Sequence, residues 1–333
     1  MTALSTRCER LLTTLNLMPH GATLHAHPLT GGVASDIAKV SVNDRVYCVK
    51  FALAKLRVKA DWYAPVERNY AEYRWLKLVS EILPDASLTL YGHCDKEHGF
   101  VMDYIDGDNS YLLKTALFEG KGEKKQATKI GDVLGRIHKA STLSGFDRTP
   151  FQNQDDFYAL RLEPYLVYTA KQHADIADQL LEMSSLLYRA NTVLVHGDVS
   201  PKNIIFDDQR ALLLDAECAT MGDACFDVAF CLNHFILKGL YLPNHRHSYF
   251  ALCEAFWTAY QAHVTWEDKA SLEERIVKLL PMLMLARCDG KSPVEYFDDT
   301  HKQICRTSAL ALIKSPQSNL LSFIDVLSSH HNG

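Results

Sequence analysis

The spacing of apolar residues changes character along the chain. Residues 4–17 put Leu11, Leu12 and Leu15 on one side of a short helix. From residue 24 to residue 105 the apolar positions gather into short β-rich runs. Residues 29–40 (around a Gly-Gly turn), 46–51, 88–91 and 99–104 each predict a strand. One helix interrupts them: residues 65–83 carry Tyr70, Tyr73, Leu76, Leu78 and Ile82, and Pro84 ends it. After the turn-forming Asp106-Gly107-Asp108-Asn109 the period becomes helical. Ile130, Val133, Leu134 and Ile137 predict a helix over 124–140, and two more follow over 155–170 and 174–188. Residues 193–195 with 204–206, then 211–214, read as hairpin-like strands, and helices resume from Phe226 to the end. There is no internal repeat. The layout predicts an α+β molecule of two lobes. A small β-rich part with one internal helix occupies residues 1–105, a hinge lies near 103–109, and a larger helical part occupies 106–333.

Composition narrows the partners. A chain of 333 residues that is 47% hydrophobic and 23% charged has ample core for a globular protein. Its net charge of −5 gives no support for nucleic acid or an anionic membrane as the main partner. The lysine clusters at 50–59 and 121–125 read as solvated faces. Nine cysteines, an odd number with no C-x2-C pair, argue against both a disulfide framework and a structural zinc site. A reducing compartment follows. Charges inside the first seventeen residues rule out a signal peptide there, and no run of 18 apolar residues exists. The expected location is cytoplasmic, with no membrane partner.

The chemistry concentrates in Leu194 to Phe206, LVHGDVSPKNIIF, and in Leu212-Leu213-Leu214-Asp215. An Asp with an Asn five residues on, then a strand ending in a second Asp, is the order that phosphoryl transfer requires. Asp198 would accept a proton from an attacking hydroxyl, and Asn203 and Asp215 would hold a magnesium ion. Pro201 forces the intervening loop out of helix. His196 reads as a packed loop residue rather than a base. Lys202 either reaches a γ-phosphate or lies in solvent. Asp227 reads as buried, bracing the loop by accepting backbone N–H groups.

Upstream, Gly31, Gly32 and Ser35 lie between two strands and suit either a phosphate-approaching loop or a plain hairpin turn. Lys50, flanked by apolar residues on a strand, needs a partner for its charge. Glu72 is the helical carboxylate chosen for it; Glu67, five residues earlier, faces elsewhere. Residues 99–107 read as a strand running into a turn. There Met102 would line a base pocket, while Asp103, Tyr104 and Ile105 would offer backbone groups to an adenine edge. Glu217, two residues after Asp215, either joins the metal shell or meets a cationic substrate.

With these residues in view, the chain resembles the aminoglycoside phosphotransferase/choline kinase superfamily of small-molecule kinases, over roughly residues 24–300. The motifs that carry the likeness are His196-Gly197-Asp198 through Asn203, Leu213-Leu214-Asp215-Ala216-Glu217, and Gly222-Asp223 through Asp227. The resemblance implies a bilobal protein-kinase-like fold, use of ATP and Mg2+, and transfer to an alcohol group of a small molecule. Asp215-Ala216-Glu217 in place of Asp-Phe-Gly, and the lack of an Ala-Pro-Glu segment, separate it from protein kinases. In this superfamily the acceptor lies against the helical lobe, where Arg161, Arg287 and Asp289 join Glu217 as candidates. Arg287 and Lys291 suit a neutral or anionic polyol, such as a methylthioribose-like sugar, better than an aminoglycoside or choline. A homodimer is left open. An inactive nucleotide-binding scaffold and a protein Ser/Thr kinase are the alternatives, and the chain keeps all four residues a dead scaffold would be expected to lose.

Overall fold

The computed structural model describes residues 3–29, 35–55, 57 and 65–329. The β-rich part is one antiparallel sheet of five strands, ordered β1-β2-β3-β5-β4. They are β1 (Leu24–Pro28), β2 (Ser35–Val42), β3 (Arg45–Ala52), β4 (Leu90–Cys94) and β5 (Gly99–Asp103). Helix α1 (Ala3–Thr14) covers one face and α2 (Arg68–Ile82) the other. Side chains alternate across a strand, and β3 divides its residues accordingly. Tyr47, Val49 and Phe51 pack with Cys8, Leu11 and Leu12 of α1. Cys48 joins Trp75, Leu76 and Val79 of α2. Lys50 has the same parity as Cys48, so its charge is directed toward α2.

The rest is mostly helical: α3 (Leu113–Phe118), α4 (Lys124–Ser141), α5 (Gln154–Phe157), α6 (Tyr168–Gln172), α7 (Ala177–Arg189), α8 (Ala224–Tyr241), α9 (Arg246–Gln261), α10 (Lys269–Asp289), α11 (Asp299–Lys314) and α12 (Leu320–Ser329). A reciprocal cap starts α4, Glu123 accepting from the third helical amide while Gln126 accepts from Glu123 N–H. Helix α8 is apolar nearly all round and is enclosed by α9, α10 and α11. Short strands thread the helices: β6 (Ser110–Leu112), β7 (Val193–Val195), β8 (Ile204–Asp207), β9 (Arg210–Leu213) and β10 (Thr220–Gly222). No helix among the described residues is long and apolar enough to cross a membrane.

Four local expectations are corrected. Residues 193–195 do not pair with 204–206: β7 pairs with β10, while β8 lies between β6 and β9. The loop between β7 and β8 carries polar groups that bond elsewhere, so it cannot close a hairpin. The fourth strand runs over Leu90–Cys94 rather than residues 88–91, with a bulge at Leu90/Gly92. On α2 the buried face is Arg68, Asn69, Ala71, Glu72, Trp75, Leu76 and Val79, with Tyr70 exposed. Buried ion pairs, rather than the aromatic stripe, set that phase. The predicted helix over 155–170 is a π-helix from Tyr158 to Val167, with Pro164 inside it.

Candidate active site

Three segments bring opposite charges together: β3 with Lys50, α2 with Glu72, and the residues after β9 with Asp215. Lys50 Nζ lies 2.6 Å from Glu72 Oε2 and 2.8 Å from Oε1, and it also pairs with Asp215 Oδ1. Glu72 Oε1 accepts the Asp215 backbone N–H at 3.0 Å. Burial alone would push the Lys50 ammonium down, but Asp215 and Glu72 outweigh it and hold the group charged. Asp215 adopts the left-handed region at φ +67°, a strained conformation that turns its carboxylate back toward Lys50.

Arg68 sits one turn before Glu72 on the same helical face. Its Nε donates to Glu217 Oε2 at 2.8 Å, and its other nitrogens donate to Leu53 O and Pro65 O. Glu217 therefore meets a cation of its own chain.

The loop after β7 is held from inside. Gly197 has φ +80°, and a Cβ there would stand 2.8 Å from Cys218 Cβ, so only glycine fits. Fully buried Asp227 accepts His196 N–H at 2.6 Å and Gly197 N–H at 2.8 Å. Behind it, His138 Nε2 lies 3.2 Å from Asp227 Oδ2, and His138 Nδ1 lies 2.7 Å from the Tyr260 hydroxyl. His196 is buried, accepts Asp198 N–H on Nδ1 at 3.1 Å and meets the Trp75 ring edge-on at 4.9 Å. Burial lowers its pKa, which suits a neutral packing residue.

The Asp198 carboxylate faces two cations, with Lys202 Nζ and Arg161 Nη2 each 3.0 Å from Oδ2. Burial would raise its pKa; Lys202 and Arg161 outweigh that and hold it well below the usual carboxylate range. Arg161 is buried in the π-helix and also donates to Gly197 O. Asn203 Nδ2 donates to Asp198 O at 3.1 Å, and Leu214 N–H donates to Asn203 O at 2.9 Å. These bonds tie Asn203 to the residue preceding Asp215, leaving Asn203 Oδ1 and Asp215 Oδ2 as hard oxygen donors. No group of three or more His, Cys, Asp or Glu residues among the described residues could hold a metal. Two oxygen ligands fit Mg2+, which retains waters and phosphate oxygens.

The remaining candidates fall into place less uniformly. Gly31 and Gly32 lie outside the described residues. Ser35 is buried at the start of β2, opposite Ala52. Met102 is buried opposite Cys48 on the α2 side of the sheet. Asp103 is tied into the sheet: its N–H donates to Thr89 O, and its carboxylate accepts from Thr89 N–H and Tyr91 Oη. Sheet closure uses these groups, whereas the backbones of Tyr104 and Ile105 make no hydrogen bond among the described residues. Asp289 is not brought to the site; Arg306 and His173 pair with both its oxygens. Arg287 is buried and donates through Nη1 to Ser292 Oγ at 2.9 Å.

Sequence reasoning passed over Arg68, though its i,i+4 spacing to Glu72 marked a shared face. It also gave Arg161 to the acceptor, whereas the structure sets it against Asp198. A basic residue on an otherwise buried helical stretch was the available sign.

This architecture is a protein-kinase-like α+β fold. A choline kinase from Cryptosporidium parvum Iowa II superposes with a TM-score of 0.57 at 11% identity, covering 96% of this chain and 99% of that one. An amicoumacin kinase solved with AMP-PNP, Ca2+ and its ligand gives a TM-score of 0.55 at 13% identity, covering 95% and 96%. The methylthioribose kinase of Bacillus mycoides (strain KBAB4) is 20% identical over 271 residues, 73% of this chain and 69% of its own length. Residues 25–263 match the model of the phosphotransferase enzyme family, and the chain belongs to that family.

Proposed function

We propose that this chain is an ATP- and Mg2+-dependent kinase that phosphorylates a hydroxyl group of a small molecule in the cytoplasm. The observation that carries the reading is the convergence of Lys50, Glu72 and Asp215 beside a braced loop that presents Asp198 and Asn203. Residues 1–105 would form the nucleotide-binding lobe and 106–333 the lobe that holds the acceptor. Lys50, oriented by Glu72, would contact the nucleotide phosphates, and Ser35, Met102 and the backbones of Tyr104 and Ile105 would line the nucleotide site. Asn203 and Asp215 would hold the metal, which supplies neutralising charge to the transferring phosphoryl group.

Asp198 orients the acceptor hydroxyl. It takes the proton as the acceptor oxygen bonds to the γ-phosphorus and ADP departs with the β,γ-bridging oxygen. Its depressed basicity suits this role, because a loose phosphoryl-transfer transition state asks little of a base until late. Lys202, close to Asp198, would meet the γ-phosphate from the same side. A sugar or polyol acceptor is supported by the similarity to a methylthioribose kinase. Nucleotide binding is supported by the AMP-PNP and Ca2+ held by the amicoumacin kinase.

The test is phosphoryl transfer from labelled ATP to a metabolite panel, with protein acceptors in parallel. Transfer to a small alcohol that Asp198→Asn lowers is the expected result. Failure of AMP-PNP and Mg2+ to bind would remove the reading, and transfer left intact in Asp198→Asn would remove the base.

A further inference from the structure

Helix α8 holds a polar group that the site described above leaves unused. Lys238 is 2% exposed, and among the described residues its ammonium has neither a hydrogen bond nor a carboxylate within ion-pair distance. Its ammonium instead lies over two ring faces, 4.6 Å from Phe118 and 4.8 Å from Tyr296. Near it, Arg287 Nε and Tyr296 Oη are buried without partners among the described residues. The acid nearest in charge is Glu295, and Lys114 already holds it at 2.6 Å. Three cations thus face one carboxylate. Buried polar groups are ordinarily satisfied and buried charges paired, so this cluster lacks an anion. Burial, then Lys114, pushes Lys238 down to about 7. That is the behaviour of an ammonium whose counter-charge must come from elsewhere.

The cluster adjoins the catalytic loop. Helix α3, which carries Lys114 and Phe118, packs against the turn Pro201–Asn203. His234, one turn before Lys238, is buried and feels the charges of Lys238, Arg287, Asp198 and Lys202. The rings of Phe118, Tyr241 and Tyr296 pack edge to face with centroids 5.0–6.0 Å apart. Such rings could cage a quaternary ammonium, but Lys238 already occupies two of their faces.

We propose that Lys238, Arg287 and Tyr296 anchor the acceptor, and that the acceptor carries an anionic group, carboxylate or phosphate, besides the hydroxyl that is phosphorylated. This inference rests on the kinase reading, and its test separates the two. The full chain, with AMP-PNP and Mg2+, is assayed by thermal shift against matched pairs: glycerate and glycerol, gluconate and glucitol, ribose 5-phosphate and ribose, with choline alongside. Transfer from ATP to the same compounds follows. At least one anionic member should raise Tm where its neutral partner does not, and be turned over at least tenfold better in kcat/KM. Lys238→Met should erase that preference while keeping the AMP-PNP shift, which reports a folded nucleotide site; Lys238→Arg should retain the preference. The carboxylate and phosphate pairs distinguish the two sources of charge. Anions that do no better than their neutral partners, a preference for choline, or a preference that survives Lys238→Met would overturn the proposal. Loss of the AMP-PNP shift in the wild-type chain would instead strike the kinase reading.

Discussion

Replacing Asp227 with alanine tests whether the loop is held from within. Its carboxylate accepts two backbone N–H groups at 2.6 and 2.8 Å, and it is fully buried, so no water can replace it. Each hydrogen bond to a charged acceptor contributes about 1.5–3 kcal/mol. The two together give an expected destabilisation of about 3–6 kcal/mol. That is a large share of the roughly 5–15 kcal/mol that stabilises a typical protein. The same amides fix the backbone leading into Asp198, and a shift of about 1 Å at a reacting group can slow turnover about a hundredfold. Denaturant unfolding of wild type and variant, with kcat measured below the transition, reads both quantities. Asp132→Asn is the control: its pair with His263 is partly solvated, and pairs of that kind contribute about 1 kcal/mol or less. If Asp227→Ala unfolds within 1 kcal/mol of wild type and keeps its kcat, the bracing argument is wrong.

Asp198→Asn should lower kcat by about 10²–10⁴-fold while leaving the affinity for AMP-PNP nearly unchanged, read by single-turnover kinetics and calorimetry. Arg68→Met strands a buried carboxylate at Glu217, 6% exposed, and should cost about 3–5 kcal/mol; Arg68→Met with Glu217→Leu should recover most of it in a denaturant double-mutant cycle. Lys238 titrates near 7 in the folded chain against about 10.4 when unfolded. The unfolded state therefore binds more protons between those values, and stability rises with pH there. Lys238→Met lacks this dependence, so its stability relative to wild type should be greatest below pH 7 and decline toward pH 10. A gap that widens with pH would refute the buried, unpaired ammonium.

The strands and helices were legible from their apolar patterns: short β-rich runs in β3 and β5, buried on both faces, and a one-sided apolar stripe in α4. The lysine on β3 and the glutamate on α2 were legible as well, because a charge inside an apolar run must find a partner. Long-range pairing was not. Nothing in Val193–Val195 distinguishes Ile204–Asp207 from Thr220–Gly222 as its neighbour; the choice is made by Asp227, thirty residues on, which captures the amides of the loop between. The phase of α2 was hidden for a related reason. Arg68 and Glu72 are polar by type and buried by pairing, so a reading that places apolar residues inward turns the helix the wrong way. Asp289, exposed by every local sign, is consumed by Arg306 and His173, which are far from it in sequence.

The nine free thiols give the molecule a record of its own opening. Eight are buried and only Cys94 is partly accessible. Burial raises the pKa of Cys8, Cys48, Cys218 and Cys253, among others, so little reactive thiolate is present while the fold is closed. Reagent must wait for fluctuations, and the wait differs by place. Cys8 and Cys48 lie on opposite faces of the sheet, Cys218 beside Gly197, and Cys253 against α8. The order in which they become alkylated would map which region loosens first and which opens only with the whole chain.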